Sequence, residues 1–172
     1  MLPFVVRQFV PYLGIERFIP MGRSKNNLDW QQTPREFKAS LKFIEKNRFK
    51  CNDPLYALVS SERKADAKRA HKRITGGCSA GIAAMVVSPT GTVFPCAKLR
   101  IPAGNIHVES LETIWLKSGV FNLLRNRENI SSCRGCDFLN DCGGCRSAAL
   151  AASGDWLGKD PLCFKELIRD ES

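Results

Sequence analysis

Cys133-Arg-Gly-Cys136-Asp-Phe-Leu-Asn-Asp-Cys142-Gly-Gly-Cys145 places four thiols within 13 residues, in the pattern C-x2-C-x5-C-x2-C. Cys163 follows after 17 intervening residues, and upstream Cys78 and Cys96 bracket Gly91 as C-x12-G-x4-C. One C-x2-C pair is weak evidence of a metal; a series of seven cysteines is strong. Four thiolates complete one zinc site or one iron–sulfur cluster and leave three for a second centre. The local pattern agrees. Ser88-Pro-Thr-Gly91 is a turn signal between Ile82–Ser88 and Thr92–Phe94, so an antiparallel hairpin would bring Cys78 and Cys96 together. Gly135, Gly143 and Gly144 relieve the cost of unusual backbone angles beside the thiols, where N–H groups can donate to sulfur and tune a centre.

The rest of the chain supplies a scaffold. With 172 residues, 44% hydrophobic and 25% charged, it has the make-up of a globular protein of one domain, or one and a fragment. That length can bury its own core, so disulfide staples are not required. No apolar run approaches a membrane span, and Met1-Leu-Pro-Phe-Val-Val lacks the features of a secretion signal. The expected location is the cytoplasm, where clustered cysteines stay reduced and hold metal.

The net charge of +9 is uneven. Residues 35–73 carry 12 basic and 5 acidic side chains, whereas residues 74–172 carry 10 of each. The cysteine-rich half is therefore not an electrostatic clamp for nucleic acid. Arg63, Lys64, Lys68, Arg69, Lys72 and Arg73 fall on an expected helix, Glu62 to Arg73, that reads as a solvated face. Few aromatic residues interleave with them, which argues against a stacking platform for single strands.

Upstream, Phe4–Val10, Glu16–Ile19 and Leu55–Ser60 read as strands. Thr33-Pro34-Arg35-Glu36 is a helix start with a capping box, and Phe37, Leu41 and Ile44 form one apolar face through about Asn47. Downstream, Ser110 caps a helix through Leu116, Val120–Arg127 suggests another, and Arg146–Ala152 stops at Gly154. His71 is expected in solvent, and His107 is a candidate donor behind a thiol ligand. Trp115 and Trp156 read as packing residues, and Asp155 and Asp160 as loop hydrogen-bonders. Cys51 reads as a small buried apolar residue, with a role as a further ligand as its alternative. No spacing supports a hydrolase triad.

The cysteine series resembles the SPASM domain, the C-terminal extension of many radical S-adenosylmethionine (SAM) enzymes. The resemblance is carried by Gly77-Cys-Ser-Ala-Gly, Ser88-Pro-Thr-Gly-Thr-Val-Phe-Pro-Cys96, Gly104-Asn-Ile, Ser110-Leu-Glu-Thr-Ile-Trp115, Cys142-Gly-Gly-Cys-Arg146 and Asp160-Pro-Leu-Cys163. It implies two auxiliary 4Fe–4S clusters: a first on Cys78, Cys96 and Cys145, and a second on Cys133, Cys136, Cys142 and Cys163. Spacing alone would group Cys145 with its neighbours; its place in the first set comes from the resemblance. One departure is that many members have three residues between the last two cysteines of the run, where Cys142 and Cys145 have two. The first set lacks a fourth cysteine, which leaves either Cys51 or an iron open to substrate.

Arg17-Phe-Ile-Pro-Met-Gly-Arg23 resembles a late strand and loop of a radical SAM barrel. The implied architecture is α+β, with a partial α/β barrel end over residues 1–75 and a SPASM domain with a hairpin and short helices over residues 76–172. The radical-generating C-x3-C-x2-C motif of the family does not occur in the sequence. The chain is thus expected to be the C-terminal part of a longer enzyme, a truncated frame or half of a split enzyme, inactive by itself. Its implied partner is the barrel portion or a separate radical-generating chain, with S-adenosylmethionine used only by the complete enzyme. Implied substrates are peptides, proteins or haem-type precursors. The alternatives are a stand-alone electron-transfer or partner subunit, and a zinc-binding interaction module built on Cys133, Cys136, Cys142 and Cys145.

Overall fold

The computed structural model describes residues 14–60, 74 and 76–169. The expected strand at 4–10 and basic helix at 62–73, with His71, lie outside the described residues. The described elements run β1 (Gly14–Ile15), α1 (Pro34–Lys46), β2 (Lys50–Cys51), β3 (Val86–Val87), β4 (Thr92–Phe94) and β5 (Gly104–Asn105). They continue as α2 (Leu111–Lys117), α3 (Gly119–Arg125), α4 (Arg146–Ser153) and α5 (Lys165–Arg169). Short helices and small sheets make this an α+β chain.

Helix α1 starts where its sequence requires. The Thr33 hydroxyl accepts from the Glu36 N–H, the Glu36 carboxylate accepts from the Thr33 N–H at 2.8 Å, and Pro34 occupies the first turn. Phe37, Leu41 and Ile44 are buried as the periodicity predicts. On either side, β1 and β2 pair in parallel, Gly14 with Lys50 and Ile15 with Cys51, which is the order of a β–α–β unit.

Two expectations fail here. The strand expected over Glu16–Ile19 is instead Gly14–Ile15, and the chain leaves the sheet as Arg17 turns into the interior. The strand expected over Leu55–Ser60 is a 3-10 helix, Pro54–Leu58. Asp53 caps it by accepting the Leu55 N–H at 2.9 Å, and Pro54 brings a fixed φ suited to a first turn. Leu55 and Leu58, three residues apart, then fall on one buried face.

The hairpin forms with Val86 opposite Phe94 and Val87 opposite Val93. Gly91, at φ 77°, closes its turn, donating to the Ser88 carbonyl at 2.9 Å. The first strand is shorter than Ile82–Ser88, because the N–H groups of Ile82, Ala83 and Ala84 all turn back onto the Ser79 carbonyl. Strand β5 extends the sheet beside β4. Ser110 caps α2 and Gly154, in the left-handed region, ends α4, both as expected.

Phe37, Leu41, Ile44, Leu55 and Leu58 pack with Cys142, Leu162 and Phe164 in one apolar cluster. The cluster thus takes side chains from both sides of residue 75. Smaller clusters around Leu99 and Leu124, and around Val93, Ile114 and Phe121, support the hairpin half. Trp156 packs against the first of these, and Trp115 meets Phe121 edge-on at 5.4 Å. Among the described residues no helix is long and apolar enough to cross a membrane.

Candidate metal centres

The seven cysteines of the series are free thiols that divide between two cavities. Cys78, Cys96 and Cys145 line the first, a space of about 330 Å³ whose other walls include Arg17, Asp53, Ser79 and Lys98. Cys133, Cys136, Cys142 and Cys163 line the second, a slot of about 20 Å³ walled by Leu55, Leu58, Phe138 and Leu139. Within each set the thiols flank a cavity; among the described residues no three Cys, His, Asp or Glu side chains converge on a point fit for a single ion.

Backbone conformation makes the division. Cys142 and Cys145 are separated only by Gly143 and Gly144, both left-handed at φ 67° and 58°, and this reversal turns the two side chains apart. The Cys78 segment runs against the same loop, its N–H donating to the Cys142 carbonyl at 3.0 Å. A Cβ on Gly77 would lie 1.9 Å from that carbonyl oxygen, so only glycine fits there. Arg127 ties the two segments from behind, donating to the carbonyls of Leu139 at 2.9 Å, Gly76 at 2.5 Å and Cys78 at 3.2 Å.

The donor set suits a thiolate-ligated centre. The Gly144 N–H points at Cys142 Sγ at 3.3 Å and the Lys98 N–H at Cys96 Sγ at 3.5 Å. Burial pushes the thiols of Cys142 and Cys163 up, and raises Cys145 to about 11, so without metal these groups stay protonated. A bound cation reverses that preference, deprotonating coordinating thiols outright. The Cys133–Cys136 turn, with Gly135 at φ 65°, forms one wall of the second slot.

A buried ion-pair triad lies between the cavities. Arg17 pairs with Asp53 through Nε and Nη2, and its Nη1 donates to both Asp160 oxygens at 2.7 and 2.8 Å. Burial works against the Arg17 charge, but the Asp53 hydrogen bond and both carboxylates outweigh it and hold the guanidinium charged. The sequence reading missed Arg17 and Arg127, and assigned Asp160 only to a loop. Asp160 does cap the turn before Cys163, accepting the Leu162 N–H at 3.0 Å, but it also accepts the Cys145 N–H at 2.7 Å. Its position three residues before a ligand candidate in Asp160-Pro-Leu-Cys163 was the available signal; nothing in Arg17-Phe-Ile-Pro marks the arginine as an inward-facing one.

The remaining candidates fall elsewhere. Cys51 opens onto a third cavity, of about 200 Å³, shared with Trp30, Phe37 and Leu41. His107 is exposed against Gly91 at the hairpin turn and lines neither cysteine cavity. Asp155 is a loop residue, accepting the Leu157 N–H at 2.8 Å.

Residues 78–137 match the family model of SPASM, an iron–sulfur cluster-binding domain. The match takes in Cys78, Cys96, Cys133 and Cys136 and stops short of Cys142. An AdoMet-dependent heme synthase of Methanosarcina barkeri is 39% identical over 95 residues, covering 55% of this chain and 27% of that protein. A second heme synthase, from Nitratidesulfovibrio vulgaris, is 37% identical over 91 residues, covering 52% and 25%. A PqqA peptide cyclase of Rhizobium meliloti is 39% identical over 90 residues, covering 49% and 24%. The matched part of the chain spans about a quarter of the length of each of these proteins. The chain is thus similar to an iron–sulfur cluster-binding domain over residues 78–137, and to these enzymes through about half its length.

Proposed function

We propose that this chain supplies the auxiliary iron–sulfur domain of a radical SAM enzyme and holds two 4Fe–4S clusters. Cys78, Cys96 and Cys145 ligate the first; Cys133, Cys136, Cys142 and Cys163 ligate the second. The carrying observation is the division of seven thiols between two cavities, three to one and four to the other. Clusters so held supply one-electron transfer, or at an incompletely ligated iron a site for substrate. Cys51 lines the adjoining cavity, which shares Glu16, Arg17 and Asp53 with the first but none of its thiols, and this supports an open iron in the first centre over a fourth cysteine.

The chain's own residues shape what the two sites do. Lys98 and Glu16, paired at 2.5 Å and both part-exposed, stand at the wall of the first cavity and admit polar groups to it. Leu55, Leu58, Phe138 and Leu139 keep water from the second, where a low dielectric strengthens backbone N–H donation to sulfur. Residues 1–75 serve as the end of a radical SAM barrel, a reading supported by the parallel β1–β2 pair joined through α1. The S-adenosylmethionine site belongs to a radical-generating module carrying C-x3-C-x2-C. The complete enzyme acts on a haem-type precursor or a peptide, as the names of the related enzymes suggest.

Anaerobic reconstitution tests this. The chain is expected to turn brown and to hold about eight irons with matching sulfide, in two distinguishable clusters. A colourless protein binding zinc would overturn it. So would S-adenosylmethionine cleavage by the 172-residue chain alone, since the radical-generating motif is then not required elsewhere. A four-thiolate zinc site would need Cys145 beside Cys133, Cys136 and Cys142, whereas Cys145 lines the other cavity.

A further inference from the structure

We infer that Asp160, clamped by Arg17, is the positioning residue that sends Cys142 and Cys145 to different centres and sets the charge in the wall between them. The inference rests on the proposed two-cluster function and concerns what this chain's own residues do toward it.

The geometry converges on one side chain. Asp160 is 2% exposed. Its Oδ2 accepts the Cys145 N–H at 2.7 Å, and its backbone carbonyl accepts the Cys163 N–H at 3.0 Å. One residue therefore fixes the backbone of a thiol from each set. Gly144, just before Cys145, makes room: a Cβ there would stand 3.0 Å from the Asp160 Cβ. With the left-handed Gly143–Gly144 reversal behind it, the Cys145 amide is pulled toward Asp160 while the Cys142 side chain stays in the apolar slot.

Arg17 lies between Asp53 and Asp160, so one cation faces two carboxylates within the triad, and a second buried cation, Arg146, stands beside Gly144 close to Asp160. Arg17 and Asp53 line the first cavity; Asp160 lines the second. A negative charge beside a cluster favours its oxidised state, and nearby charge is among the protein's means of setting such potentials.

The signs are therefore fixed in advance. Asp160→Asn removes a negative charge adjoining both centres and raises both reduction potentials. Arg17→Gln leaves two carboxylates uncompensated and lowers them, the first centre's more than the second's. Asp53→Asn raises the potential of the first centre and leaves the second in place. A purely structural role for these residues would not give opposite signs in two variants of one ion pair.

The test is an anaerobic redox titration of the reconstituted full chain, followed by electron paramagnetic resonance with iron counted in each variant. Opposite shifts in Asp160→Asn and Arg17→Gln, with iron retained, support the inference. Shifts of one sign in both, or unmoved potentials with full iron, overturn it. Should Asp160→Asn hold no iron, Asp160→Glu decides. Iron retained at wild-type potentials then supports the charge assignment, and loss of iron from both variants assigns the position to packing and overturns it. Wild-type protein that holds no iron would instead sink the two-cluster reading beneath the inference.

Discussion

The two cysteine cavities share a wall and differ in nearly everything else. The first has three thiols, about 330 Å³ of space and charged or polar neighbours including Lys98, Glu16 and Ser79. The second has four thiols, about 20 Å³, and four large apolar side chains around it. Thiol number and environment vary together: the four-thiol slot is the smaller and its walls are mainly apolar, whereas the three-thiol cavity is roomier and has charged and polar side chains among its walls. The same short run of sequence, Cys142-Gly-Gly-Cys145, feeds both.

The largest effects should come from breaking either set. Cys163→Ser should cut the iron content from about eight to about four and leave the first cluster's spectrum intact, while Cys78→Ser should do the reverse. Iron counts with variable-temperature paramagnetic resonance on the two variants would check this; loss of the same signal from both would collapse the comparison into one site. Next comes the apolar wall. Leu55→Ala, at a fully buried position lining the second cavity, should destabilise the chain by about 2–5 kcal/mol, measured by denaturant unfolding of the loaded protein. Its second cluster should also degrade faster in air than the first, because the cavity left behind admits solvent on that side.

A smaller effect sharpens the contrast in coordination. Cyanide or an added thiol should shift the resonance of the three-thiol centre and leave the four-thiol centre unchanged; equal response of both would show that both have an open iron. The smallest concerns the metal-free chain. Cys145 is raised from its ordinary 9.0 to about 11, so below pH 9 both folded and unfolded thiols are protonated and its contribution is fully present. Between about pH 9 and 11 the unfolded chain ionises first, and the free energy of unfolding should fall. Cys145→Ala should flatten that fall in an unfolding series across the same window.

Much of this was legible in the residues, for physical reasons that also explain the misses. Cysteine spacing is a direct record of metal chemistry, and caps such as Thr33 and Ser110 act within one turn, so both could be read without tertiary information. The hairpin turn at Gly91 was equally local. Leu55–Ser60 reads as a strand because a short apolar run looks alike in a strand and in a 3-10 turn, and only the Asp53-Pro54 cap separates the two. Arg17 and Arg127 were invisible because their partners lie far away in sequence: Arg17 finds Asp160 143 residues on, and Arg127 finds Gly76 51 residues back. Spacing alone grouped Cys145 with its neighbours. Two left-handed glycines turn it to the other cavity, and only their backbone angles reveal that.

The apolar cluster that joins Phe37, Leu41 and Leu55 to Cys142 and Phe164 also bears on how the protein survives oxygen. A thiolate-bound cluster is lost when water and oxidants reach its sulfurs, and part of the apolar packing around Cys142 is made by residues that precede the cysteine-rich half. The durability of the second centre in air is thus a property of α1 and the 54–58 turn as much as of the cysteines. Shortening the chain to its cysteine-rich half would keep every proposed ligand and strip away the α1 and 54–58 part of that packing.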